Sequence, residues 1–286
     1  MKRLQTWTPL AIIVVCATTM AAGVPQWLHA VLQLSGPAVA ASHAVLSEHE
    51  REEINTLPEQ EQAYRLLNRA INGYKGALEE IESRVQNWTG KIELDEKLNS
   101  LTGVAYCSHD LRVRAAAVEI SLAGYGLEKS PRSVDEQIEI LHTGSPQKFY
   151  ALWKLGLLGN RGVEPHRARQ TLVDFLHDRD IVNRRWAVNG LGVLATADII
   201  EPLIEVFRTD ESPEIRERAA CNLADAGLMT KEQRMKSIPY LLSMTDDVTL
   251  DSQTRGWVFQ ALREISGQQI GSEPASWRNW WARAGH

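Results

Sequence analysis

Cysteine is scarce. The 286 residues hold three, Cys16, Cys107 and Cys221. Cys107 has only His109 as a nearby residue of ligand type, so the spaced Cys and His pairs of a structural zinc site are missing. A phosphate-binding glycine loop, a nucleophile elbow and paired metal ligands are missing too. No cofactor, metal or catalytic residue is therefore expected, and the chain reads as non-enzymatic. Positive charge is also in short supply. Lys and Arg number 31 against 36 Asp and Glu, for a net charge of −5. The first 47 residues contribute Lys2 and Arg3 and no acid, so the remainder carries −7. An acidic body of this kind excludes non-specific nucleic-acid binding, which needs dense positive charge to displace counterions. It also disfavours docking on an anionic membrane surface.

From residue 4 to residue 47 charge of either sign is absent. A basic start followed by the apolar run Leu10 to Val24 reads as a secretory signal, with Ala38-Val39-Ala40 as a small-x-small cleavage site. The alternative is an uncleaved anchor. Trp7 to Leu34 is long enough to cross a bilayer, for which about 20 residues suffice, although Pro25 interrupts it. Lys2 and Arg3 would then keep the N-terminus cytoplasmic. Either way the rest of the chain is expected outside the cytoplasm. Cys16 follows Val15 and makes a poor lipoprotein site.

What the chain does have begins with a heptad seam. Tyr64, Leu67, Ile71, Tyr74, Leu78, Ile81, Val85 and Trp88 alternate steps of three and four, flanked by Ala63, Ala70 and Ala77. Gly73 and Gly76 lie off the seam and weaken a helix there, so a kink or split is expected near Asn72-Gly73. The seam suits a dimerising coiled coil, or the first helix of a stack packed on Leu94, Leu98, Leu101 and Ala105; the second is favoured because the seam is short. The charge run from Ser47 to Glu53 reads as a solvated linker or a helix start.

Beyond the seam one template recurs five times: a basic residue, then small or apolar residues three, four and seven positions later. It starts at Arg114, Lys148, Arg184, Arg216 and Arg255. The steps of 34, 36, 32 and 39 average about 35, a period that marks stacked repeats. Asp110, Asp180, Ser212 and Asp251 stand four residues before four of the basic positions and suit helix N-caps. Gly124 and Gly126, Gly159-Asn160, Gly227 and Gly267 supply the stops. Each template therefore sits on the second helix of a pair. First helices precede them, two with a proline in the opening turn, Pro202 and Pro239. Cys107 and Cys221 lie about three repeats apart, with layers roughly 8–10 Å apart. A disulfide needs Cα atoms within about 7 Å, so two free, mostly buried thiols are expected.

The stretch Asp210-Glu-Ser-Pro213-Glu-Ile215-Arg216-Glu-Arg-Ala219-Ala220 resembles the turn-then-helix pattern of the HEAT-repeat family. Asp178 to Leu191 matches less closely, with Asn183 where an aliphatic residue is usual, and the repeat at Lys148 lacks both the Asp and the Arg. The resemblance covers roughly residues 90–267 and implies an all-α fold, a right-handed alpha-solenoid of stacked helix pairs. The expected organisation is a signal peptide or anchor over 1–40, a linker over 41–58 and a helical hairpin over 59–106. HEAT-like repeats follow over 107–267, with a Trp-rich capping helix over 268–286.

For function the resemblance implies binding of another protein or peptide through the concave surface, with a rigid curved scaffold as mechanism. The basic ladder Arg114, Lys148, Arg184, Arg216 and Arg255 supplies candidate partner-binding residues. Such arginines more often bridge to capping groups of the adjacent turn, as Asp178 and Asp210 permit. Trp277, Trp280 and Trp281 share one helix face and read as an end cap, with a ligand cage as the alternative. HEAT-like hydroxylases carry several His-Glu pairs, and this chain has one, His49-Glu50. A repeat-based accessory enzyme or ligand carrier, like the HEAT-like phycobilin lyases, is the runner-up, and a membrane-tethered spacer comes third. DNA-alkylation-repeat glycosylases use a basic concave face, and Arg184-Arg185-Trp186 is too small a cluster to supply one.

Overall fold

The computed structural model describes residues 44–145 and 147–284. The leader over 1–40, with Lys2, Arg3 and Cys16, lies outside the described residues, as does the start of the segment 41–58. Among the described residues no helix is long and apolar enough to cross a membrane.

Ser47 accepts a hydrogen bond from the Glu50 amide and opens α1 (Glu48–Asn55). Leu46 and Ile54 are buried on either side of it. Leu46 N donates to Lys75 O and Lys75 N to Ala44 O, both at 2.9 Å. The segment 41–58, expected as a linker, is therefore structured from residue 44 onward. Its charged residues form the outer side of a helix whose one apolar residue, Ile54, enters the core, a pairing that a charge run hides. The heptad seam divides into α2 (Glu59–Ile71) and α3 (Ala77–Trp88). Gly73 and Gly76 take φ of 74° and 90° in the turn between them, a region that costs other residues roughly 1–2 kcal/mol. α2 packs on α3 and on α4 (Glu96–Tyr106).

From here the chain is a series of helix pairs. α4 precedes α5 (Leu111–Gly124), and α6 (Pro131–Leu141) precedes α7 (Phe149–Asn160). α8 (Pro165–Asp174) leads to α9 (Ile181–Leu194), and α10 (Ile200–Thr209) to α11 (Pro213–Cys221). A π-helical turn (Asn222–Ala226) extends α11. The short α12 (Lys231–Met235) and α13 (Ile238–Met244) precede α14 (Ser252–Ser266), and α15 (Pro274–Arg283) closes the series. The second helices touch in the order α5, α7, α9, α11, α14, so the marked stretches lie side by side. The fold is an all-α solenoid of stacked helix pairs.

Asp110, Asp180 and Asp251 cap their helices through the amides of Arg112, Val182 and Thr254. Ser212 stands at the cap position without a side-chain bond to the helix; Pro213 follows it and has removed one of the donors needing a partner. Among the stops, Gly126 and Gly267 take positive φ, while Gly162 rather than Gly159 does so after α7. α9 ends on a non-glycine, Ala195, at φ 58°.

Template residues form the interior. Ala117, Leu152, Leu155, Ala187, Val188, Leu191, Ala219, Leu223, Val258 and Leu262 are all buried. α7 and α9 cross closely, for a Cβ on Gly156 would lie 2.3 Å from Gly190 O, and one on Gly190 2.7 Å from Leu152 O. At the end of the stack Trp277 is fully buried, and its Nε1 donates to Gly271 O at 2.7 Å.

Candidate functional site

The basic ladder points largely into the fold. The Arg184 side chain is 7% exposed; its Nε donates to Asp210 Oδ2 at 2.9 Å and its Nη2 to Asp210 Oδ1 at 3.2 Å. Its Nη1 donates backwards to Asp178 O at 3.0 Å. Arg216 repeats the arrangement one layer on, donating to Asp210 O at 2.7 Å, to Asp251 Oδ2 at 2.9 Å and to Thr254 Oγ1 at 3.0 Å. Each guanidinium thus fastens its own turn, six residues back, to the turn of the next layer. Two amide and hydroxyl bonds from Thr254, with the Arg216 charge beside them, hold the Asp251 carboxyl below the usual carboxylate range.

Arg114 is buried; it bonds the carbonyl of Ser108, again six residues back, and that of Gly227 at 3.1 Å. Arg255 donates to Leu250 O at 2.9 Å. Lys148 occupies the N-cap position of α7, half-buried, with no hydrogen bond or ion pair from its ammonium among the described residues. Arg114, Arg184 and Arg216 therefore spend donors on joining turns and Arg255 on its own turn, and the structure does not bring the five basic residues together as one exposed strip.

What the second helices do bring together is aromatic. Phe149, Tyr150 and Trp153 on α7 meet Trp186 on α9. Trp186 lies 5.6 Å from Phe149, 5.2 Å from Tyr150 and 6.3 Å from Trp153, centroid to centroid. Tyr106, at the end of α4, meets Trp153 edge-on at 5.8 Å and shares a 2.8 Å hydrogen bond with Ser121. All five rings are half-buried. Such edge and offset contacts contribute about 0.5–1.5 kcal/mol per pair beyond area burial.

Lys154, one residue after Trp153, holds its ammonium 4.8 Å from the centroid of Tyr125. Burial lowers the pKa of Lys154, and it pushes the Tyr125 hydroxyl up to about 12. Sequence reading passed this cluster over because its members lie on three helices, with no more than three on any one. The legible signal was Phe149, Tyr150 and Trp153 within one turn, in the repeat least like the template.

As the spacing predicted, neither cysteine is in a disulfide, but neither is among the buried residues. Cys107 is exposed and Cys221 half-buried. Cys107 caps the C-terminus of α4, where the helix has ended. Among the described residues no three His, Cys, Asp or Glu side chains come together as a metal site. A cavity of about 10 Å³, with Val85, Leu122, Leu127 and the Glu119–Lys129 ion pair among its lining, has room for about one water.

Stacked helix pairs, fastened turn to turn by arginines and carrying a row of rings on their second helices, define an alpha-solenoid. Residues 134–224, from within α6 into the π-helical turn, match the family described as HEAT repeats. HEAT repeats commonly serve as scaffolds for protein interaction. No curated protein matches the chain.

Proposed function

We propose that this protein is an exported, non-enzymatic scaffold that binds another protein through the surface of its second helices. The observation that carries the reading is the half-buried aromatic cluster around Trp186, which links α4, α7 and α9. Large rings that retain partial exposure on a rigid support are the groups most often found as binding anchors. They lose little conformational entropy on binding, because they already pack on one another. The arginine ladder serves this surface indirectly, by fixing the spacing of the helices that bear it. Export is supported by Lys2 and Arg3 followed by the uncharged stretch up to residue 47. A tether through the same stretch is the alternative to cleavage.

A photo-crosslinking residue placed at Trp186 of the full chain, in its native cells, tests both parts. The expected result is a protein adduct from position 186 and none from Glu205, an exposed residue of the first helix α10. Adducts in the extracytoplasmic fraction would support export. Equal adducts from both positions, or none from 186 together with a retained small molecule, would replace the scaffold with the ligand-carrier reading.

A further inference from the structure

The repeat register defines a row across the second helices. Two residues beyond each basic template position stand Ala116, Tyr150, Trp186, Arg218 and Trp257. Tyr150 and Trp186 are 5.2 Å apart, and the last four are all half-buried. One place in this row is a cation, and a second cation, Lys154, stands one turn further along α7 from Tyr150. Neither Lys154 nor Arg218 has a carboxylate within 4.0 Å among the described residues. Their neighbours differ: Arg184 is paired with Asp210, Arg185 with Glu214 and Arg216 with Asp251. In a chain with five more acidic than basic residues, Lys154, 4.8 Å from the Tyr125 ring, and Arg218, between Trp186 and Trp257 in the repeat register, are half-buried cations with no carboxylate in reach, charges still awaiting a counter-charge.

We propose that this surface takes an extended acidic segment of a partner protein. Its carboxylates bond Lys154 and Arg218, and its apolar side chains rest on Tyr150, Trp186 and Trp257. The inference rests on the partner-binding reading above and adds the chemistry of the partner. An extended chain advances about 3.3 Å per residue, so about three residues span one layer of roughly 8–10 Å. Acidic and apolar residues alternating at that interval would meet rings and cations in turn. A carboxylate arriving at Lys154 opposes the desolvation that lowers its pKa, and the pair gains strength where water is partly excluded. A nucleic acid could also stack on the rings, but the acidic body repels a polyanion.

The test is selection from a random peptide display library on the full chain, followed by titration of the selected synthetic peptides. Binders enriched in Asp or Glu beside Phe, Leu, Trp or Tyr are expected. Lys154→Gln and Arg218→Gln should each weaken them about tenfold, the size of one charge-assisted contact, and Trp186→Ala should weaken them at least as much. Circular dichroism and thermal melts check that each variant folds. Binders without acidic preference, sensitive to Trp186→Ala but not to the two Gln variants, would overturn the acidic assignment and leave the binding surface standing. Binders indifferent to all three variants, or none, would overturn both readings. Displacement of the peptides by single-stranded oligonucleotide at matched affinity would also overturn the proposal.

Discussion

Asp210 has three tasks within a few ångströms. Its carboxylate accepts the Arg184 fork and the Ser212 amide at 2.8 Å, and its carbonyl accepts from Arg216. With side chains 7% and 6% exposed, the Arg184–Asp210 pair is a buried ion pair. Its formation is costly in desolvation, yet removal of Asp210 leaves the buried Arg184 charge with only the exposed Glu211, at 3.2 Å, as counter-charge. Asp210→Ala is expected to lower unfolding stability by about 3–5 kcal/mol. The double variant Arg184→Met/Asp210→Leu is expected to lose clearly less, because it leaves no charge behind. Urea denaturation of the singles and the double decides the matter, and a small, additive series would disprove the account. The sequence showed that Asp210 was within reach of this role. That the guanidinium also bonds the carbonyl six residues behind it was not legible, since it depends on the side chain folding back over its own turn.

For whole elements, the distances between helices are set by what is missing from them. Gly156 and Gly190 let α7 and α9 approach until a methyl on either would strike backbone, which cannot rotate away. Gly156→Ala is therefore expected to cost about 1–3 kcal/mol, the usual range for overpacking. Gly256, inside α14, has nothing within 4 Å of the position of its Cβ. There the same substitution should stabilise by about 0.5–1 kcal/mol through helix propensity alone. Opposite signs in parallel thermal melts are the expected result; equal signs would mean that close approach is not what Gly156 provides. Sequence periodicity announced small residues on the packing face but could not say which glycine touches which. The seam of α2 and α3 is a related case. Its spacing runs unbroken across two helices, because the hydrophobic pattern records which residues are buried and not whether the backbone stays helical between them.

At the scale of the molecule, two buried clusters meet in one helix. Val113, Ala117 and Ile120 of α5 belong to the N-terminal core, and Val118 and Leu122 of the same helix to the core that runs on to Trp277. Each layer of such a stack is stabilised chiefly by its neighbours, so damage at one end should remain near it. Trp277→Ala removes a fully buried ring and is expected to cost about 3–5 kcal/mol. Hydrogen exchange should quicken in α13 and α14, while α2 to α4 keep their protection. Uniform quickening along the whole chain would show a single cooperative unit instead.

The sequence by itself determined the repeat, its period, the sites of most caps and the side of each helix that is buried. These follow from local periodicity and from backbone groups that need a partner within a turn. Only the tertiary structure decided that the solvated run after Ser47 is a helix start rather than a linker, that Arg184 and Arg216 are spent on joining layers, and that Tyr106, Trp153 and Trp186 form one cluster. Those outcomes depend on which turns of successive helices come level, and that is fixed by the close approach of neighbouring backbones rather than by any residue's spacing in the chain.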